Sequence, residues 1–175
     1  MVRGYVIGTS GSGKSTFAAR LCSIAEIPHL ELDSLRHQAN WTPLPDDEMR
    51  RRVESFCAQS DWVIDGNYSF VRDIILDRVT DVFMLDYPKA LVMSRIIRRT
   101  LSRMITRKEL WNGNREDWKF LFKLDPEENV ILWAWKTYDK RVADFDRLVT
   151  ELPDTVTVHR FKTPAQAKRW LNNHS

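Results

Sequence analysis

Apolar residues fall in short runs that alternate with stretches of helical spacing. Val2–Ile7 is a short, partly β-branched apolar run, the pattern of a buried strand. From Lys14 to Ala25, Phe17, Leu21 and Ile24 return on one face, which predicts a helix. Pro28–Asp33 reads as a second strand ending in a carboxylate. Residues 34–45 hold Pro43 and Pro45 and keep no period; Asp46, Asp47 and Glu48 then form the acidic first turn of a helix carrying Met49, Val53 and Phe56 to about Ser60. Trp62–Asp65 predicts a third strand, Val71, Ile74, Ile75 and Val79 the buried face of the helix after it, and Asp81–Pro88 a fourth strand closed by proline. Residues 89–106 predict a long helix with Leu91, Val92, Ile96, Ile97, Leu101 and Met104 on its apolar side. After a break at Gly113, Trp118, Phe120, Leu121 and Phe122 suggest a helix returning on it. Pro126 opens a further helix, with Val130, Ile131, Trp133, Ala134, Tyr138, Val142, Phe145 and Leu148 facing the core and Lys136, Lys140 and Arg141 in solvent. Thr155–Phe161 alternates as a fifth strand, and Thr163-Pro164 starts the last helix. Strand–helix alternation throughout predicts a three-layer α/β fold, a five-stranded parallel sheet covered on both faces.

Between the first strand and the first helix stand Gly8, Thr9, Ser10, Gly11, Ser12, Gly13, Lys14, Ser15 and Thr16. Gly8, Gly13, Lys14 and Ser15 fit G-x-x-x-x-G-K-[ST], the phosphate-cradling P-loop, in the strand–helix frame that the motif requires. Glycines let the backbone approach a phosphate, and successive N–H groups at the positive end of a helix bind it. Lys14 is expected to reach the β- and γ-phosphates and Ser15 to ligate Mg²⁺. A nucleoside triphosphate, ATP, is therefore the expected ligand.

Further candidates lie at the ends of the other strands. Asp33 stands where ligands gather in open α/β sheets; it suits the phosphoryl acceptor or the cation's water shell, and equally a helix cap. Trp41 can stack on a flat substrate and His37 hydrogen-bond it, with packing as the plainer reading. Asp65-Gly66, after an apolar strand, matches the logic of an acidic Mg²⁺ site, and Asn67 follows it. Arg72 can clamp an acceptor phosphate or carboxylate, or pair with Asp73 or Asp77. On the long helix Arg95, Arg98, Arg99 and Arg103 share one face, and Arg107, Lys108 and Arg115 extend the charge. Such a stripe is a solvated face or an arginine lid closing over the transferring phosphoryl group; the mutual repulsion of like charges favours the lid.

Composition narrows the partners. At 175 residues with 43% hydrophobic and 29% charged, the chain suits one globular domain, residues 1–175. A net charge of +3 makes the whole molecule no obvious polyanion binder. Cys22 and Cys57 form no CxxC, so buried thiols in a reducing cytoplasm are expected, with neither zinc nor disulfides. The first strand is expected to start at the N-terminus, so no signal peptide is expected, and no apolar run is long enough for a membrane span.

Together these residues resemble the small adenylate-kinase-like P-loop kinases, and more closely the FlaR-related DNA topology modulation proteins. The resemblance is carried by Gly8–Thr16, Leu30–Asp33, Asn40-Trp41-Thr42, Trp62–Ser69, Leu85–Pro88 and Glu109–Glu116. It implies a nucleoside- or nucleotide-kinase-like fold with an acceptor-binding insertion at about 34–60 and an arginine lid at about 95–123. It also implies a nucleoside or nucleotide acceptor. Adenylate kinases follow Asp-Gly with Phe-Pro-Arg where this chain has Asn67-Tyr68-Ser69, so an AMP site is not implied. The expected activity is ATP-dependent phosphotransfer, with Lys14, Asp33, Arg99, Arg103, Arg107 and Arg115 in catalysis, Asp33, His37, Trp41, Asn67 and Arg72 at the acceptor, and Ser15 and Asp65 at Mg²⁺. Two alternatives stay open: a DNA-associated, ATP-binding regulator, for which no reading motif is present, and a kinase of a small non-nucleotide metabolite.

Overall fold

The most apolar strand segments take the centre of the sheet. They are β1 (Arg3–Gly8), β3 (Trp62–Asp65) and β4 (Asp81–Leu85), with β2 (His29–Glu31) and β5 (Thr157–Phe161) at the edges. This computed structural model describes residues 1–106, 109–114 and 130–174. The five strands run in the order β2-β3-β1-β4-β5, every neighbouring pair parallel. The described helices are α1 (Lys14–Ala25), α2 (Leu32–Arg36), α3 (Asp46–Cys57), α4 (Arg72–Leu76), α5 (Lys89–Thr106), α6 (Val130–Glu151) and α7 (Pro164–Asn172).

Alternation along the central strands builds two cores. Tyr5, Ile7, Trp62, Ile64, Val82 and Met84 face one way, onto Met49 and Val53 of α3, Ile75 of α4 and Phe145 and Leu148 of α6. Val6, Val63, Phe83 and Leu85 face the other way, onto Phe17 and Leu21 of α1, Val92 and Ile96 of α5, and Ala167 and Leu171 of α7. Each such fully buried aliphatic side chain contributes about 2 kcal/mol of transfer free energy, so both faces must be covered. The last helix starts on a reciprocal cap: Gln166 N–H donates to Thr163 Oγ1, and Gln166 Oε1 accepts from the Thr163 amide.

Three expectations change. The second strand ends at Glu31, not Asp33, because its partner β3 stops at Asp65 and the register pairs Glu31 with Asp65. Leu32 instead buries against Gly66, where a Cβ would lie 2.7 Å from its own, and Asp33 falls in the first turn of α2. The expected apolar side of α5 splits: Val92, Met93 and Ile96 are buried, while Ile97 and Leu101 are 41% and 40% exposed, on the side turned from the sheet. Arg141, expected in solvent, is half-buried over the carboxyl end of the sheet. The helix expected over Trp118–Phe122 lies outside the described residues.

The chain leaves β1 toward β2 and later crosses to β4 on its other side, so the order reverses beside β1. Open α/β sheets bind ligands at such a point, outside the strand carboxyl ends. The register pairs Val6 with Asp65 and Gly8 with Leu85, which brings the Gly8–Thr16 loop and the end of β3 to that crevice. Among the described residues no helix is long and apolar enough to cross a membrane.

Candidate active site

Backbone geometry makes the loop an anion cradle. Gly13 caps α1 in the left-handed region, φ 94°, and offers no side chain to its first-turn amides, which are left to face a ligand. Gly11 sits at φ 80° with α5 pressed against it: a Cβ there would stand 2.5 Å from Ile96 Cγ1 and 3.0 Å from the Val92 carbonyl oxygen. The loop closes on itself through Ser12 N–H donating to the Thr9 carbonyl, and Arg95 Nη1 donates to the Ser12 carbonyl at 3.0 Å. Gly11→Ala should therefore lower stability by about 2 kcal/mol, combining left-handed strain with a clash against backbone. The check is urea unfolding: a lower midpoint with an unchanged slope.

Lys14 crosses the floor of this cradle, its Nζ donating to the Thr9 carbonyl at 3.4 Å. Burial pushes its ammonium below the ordinary lysine value; Asp33 and Asp65 act against that push, while Arg99 and Arg141 add to it. The Ser15 hydroxyl donates to Glu31 Oε1 at 2.8 Å. Asp65 is 1% exposed, and among the described residues neither of its carboxylate oxygens has a hydrogen-bond partner; His29 Nε2 stands 3.6 Å from Oδ1. A buried carboxylate without donors calls for a cation. Among the described residues no three His, Cys, Asp or Glu side chains gather to hold a metal by themselves. These residues fit a divalent cation arriving with a triphosphate: the glycine cradle, the Ser15 oxygen and the unpartnered Asp65 supply what such a group needs. Asn67 Nδ2 donates to the Gly8 carbonyl at 2.8 Å, tying the end of β3 to the loop.

A second set of side chains gathers around Asp33 and the end of β3. Tyr68 donates its hydroxyl proton to Asp33 Oδ1 at 2.8 Å, and burial together with the Asp33 charge holds that phenol far above its ordinary pKa. Arg72 pairs with neither Asp73, which Arg50 holds at 2.7 Å, nor Asp77; it interacts with the buried Tyr5 hydroxyl instead. Burial raises Tyr5 to about 12, so it stays a phenol and donates to the Gly66 carbonyl. Arg141 reaches across from α6 and donates Nη1 to the Asn67 carbonyl at 3.3 Å. His37 stacks on Trp111 at 5.8 Å and meets the edge of Trp41 at 5.5 Å; burial lowers its pKa, keeping it neutral. Both aromatic candidates thus form part of one cluster with the turn at Trp111–Gly113.

No family model matches the sequence, and no curated protein matches it. Solved structures do match. A shikimate kinase from Bacteroides thetaiotaomicron superposes with TM-score 0.57 and 11% identity over 98% of this chain and 95% of that one. One from Acinetobacter baumannii, in complex with shikimate, gives 0.57 and 16% over 97% and 88%. A sugar kinase from Janibacter sp. HTCC2649 gives 0.50 and 16% over 98% and 94%. The fold is that of the P-loop kinases.

Within that P-loop kinase fold, the structure gathers Gly8–Thr16, Asp33, Asp65, Asn67, Arg72, Arg95 and Arg99 around the crevice. Arg103 is half-buried one turn beyond Arg99, and Arg107 and Arg115 lie outside the described residues. Three residues were not singled out by sequence. Glu31 is the carboxylate at the end of β2, a place the sequence reading gave to Asp33. Arg141 is signalled by its spacing, three residues after Tyr138 and four before Phe145, which puts it on the helix side that faces inward. Trp111 donates Nε1–H to Glu31 Oε2 at 2.9 Å, a contact between residues 80 apart that no local pattern announces.

Proposed function

We propose that the chain is an ATP-dependent phosphotransferase that moves the γ-phosphoryl group of Mg-ATP to a small acceptor. The observation that carries this reading is that two chemistries meet at Lys14. Lys14 follows the phosphate cradle, and the charges of Asp33 and Arg141 act on it; Tyr68 is bonded to that Asp33, and Arg72 joins Arg141 in acting on Tyr5. Loop amides and Lys14 would hold the phosphates, and Ser15 and Asp65 would hold a Mg²⁺, which would supply neutralisation of phosphate charge. Arg99 stands close enough to act on Lys14 and so takes charge on the transferring group, with Arg103, Arg107 and Arg115 continuing the lid. Asp33 accepts the acceptor's hydroxyl proton as the new O–P bond forms and the bond to the β–γ bridging oxygen breaks, releasing ADP. Residues 34–60 serve the acceptor and residues 95–123 the lid of one domain.

Arg72 and Arg141 form no ion pair with a carboxylate among the described residues. An acceptor with a hydroxyl beside a carboxylate or phosphate suits them, since guanidinium groups recognise those anions bidentately. Nucleotides and anionic sugar or hydroxy-acid metabolites share that chemistry; the FlaR-like motifs favour the first, the fold likeness to a shikimate kinase the second. Arg95 and Arg99 turn toward the phosphate loop, and of the four stripe arginines Arg98 alone is exposed, so little of the basic face is left for DNA.

The test is a panel of nucleosides, nucleotides and anionic hydroxy acids with Mg-ATP, reading ADP above the acceptor-free background. An anionic acceptor should give release that Arg141→Met weakens by raising its KM about tenfold while leaving ATP binding unchanged. Background ADP with every acceptor would refute the reading.

A further inference from the structure

The Glu31 carboxylate is divided between two donors from opposite parts of the chain. Oε1 accepts from the Ser15 hydroxyl at 2.8 Å, and Oε2 accepts from the Trp111 indole at 2.9 Å. Trp111 is itself firmly held. Its ring stacks on His37, and the next residue, Asn112, takes the left-handed conformation at φ 55° and donates Nδ2 to the Ser34 and His37 carbonyls at 3.2 and 2.6 Å. Asn114 is buried, donates Nδ2 to the Gln38 carbonyl at 2.9 Å and accepts at Oδ1 from the Trp41 amide at 2.8 Å. Leu110 N–H, donating to the Asn114 carbonyl at 2.7 Å, closes the turn. Asn112 and Asn114 thus tie the turn that carries Trp111 to residues 34–41.

That placement matters for the cation. A hydroxyl that ligates a metal must direct its lone pairs at the ion and its proton elsewhere. Glu31 Oε1 is where the Ser15 proton goes. A glutamate side chain has several rotamers, and a carboxylate held at one oxygen only can turn away. The indole bond to Oε2 removes that freedom.

Resting on the phosphotransferase reading, we propose that Trp111 is a positioning residue for Mg²⁺-nucleotide binding: through Glu31 it orients the Ser15 hydroxyl. Its indole N–H goes to Glu31, and Glu31 in turn accepts from Ser15. Its action is one step removed, and it should appear as a change in how much Mg²⁺ the nucleotide site requires. Outer-shell partners of this kind alter metal affinity by about tenfold or more.

The experiment is calorimetric titration of the full chain with a non-hydrolysable ATP analogue across a series of Mg²⁺ concentrations and in EDTA. It compares wild type, Trp111→Phe, Glu31→Gln and the double variant. Phenylalanine keeps the stack on His37 and removes the N–H; the thermal midpoint confirms that the variant folds, and Trp111→Leu replaces it if it does not. Trp111→Phe should need about tenfold more Mg²⁺ for half-maximal affinity and bind the analogue in EDTA as wild type does. On the Glu31→Gln background the same change should add less than about twofold, because the two residues act as one unit. An unchanged Mg²⁺ requirement, an equal loss with and without Mg²⁺, or additive effects in the double variant would each overturn the assignment while leaving the kinase reading standing. Wild type that binds no analogue at any Mg²⁺ concentration would overturn both.

Discussion

Lys14→Ala should lower acceptor-dependent ADP release by 10² to 10³-fold, about 3–4 kcal/mol of transition-state stabilisation. The size follows from where the charge sits. The ammonium is part-buried in the cradle, and among the described residues its hydrogen bond is a long one, 3.4 Å to the Thr9 carbonyl. Burial is the first cause of its lowered pKa, and the guanidinium groups of Arg99 and Arg141 push the same way. In the proposed function, a triphosphate tail is the anion that this charge would meet. The sign of the linkage gives a second readout. A base whose pKa is lower folded than unfolded costs stability at neutral pH, and that cost fades as the pH rises toward the ordinary value of 10.5. Without nucleotide, Lys14→Ala should therefore melt no lower than wild type at pH 7, while the rise in melting temperature that Mg-ATP gives the wild type should largely disappear. Release within a few-fold of wild type would remove Lys14 from catalysis; a collapse in the nucleotide-free melting temperature would mark it as structural.

The sequence announces what is local and conceals what depends on a distant partner. The phosphate loop is contiguous and is framed by a strand and a helix whose apolar spacing is plain, so Lys14–Ala25 and residues 89–106 emerge as helices with the bounds the structure has. The five parallel strands follow from the same alternation. The end of β2 does not, because a strand stops where its neighbour stops, and β3 ends at Asp65. One misplaced boundary moved the strand-end carboxylate from Glu31 to Asp33. Arg141 is concealed for a different reason: polarity alone assigns a charged residue to solvent, although its spacing from Tyr138 and Phe145 points inward. The contacts of Trp111, Asn112 and Asn114 join two irregular segments, where neither period nor propensity carries information.

Asp33→Asn separates the acceptor classes that the crevice can accommodate. The carboxylate lies in the first turn of α2, and Tyr68 occupies Oδ1 with a hydroxyl that burial keeps protonated. Asparagine retains an oxygen to accept that bond, so the local structure should survive, with the melting temperature moving only a few degrees. What the substitution removes is the second carboxylate oxygen and its capacity to take a proton. For an acceptor that attacks through a neutral hydroxyl, kcat should fall 10² to 10³-fold, the span general-base catalysis supplies, while analogue binding changes less than about twofold. A phosphate acceptor is already an anion and needs no base; for it, the same variant should keep kcat within about tenfold and show its loss in KM, where an ill-placed amide weakens ground-state contacts. Full activity on a hydroxyl acceptor would exclude Asp33 as the base. Equal loss in analogue binding and turnover would show that the Tyr68–Asp33 bond serves the fold of the 34–60 segment and not the proton.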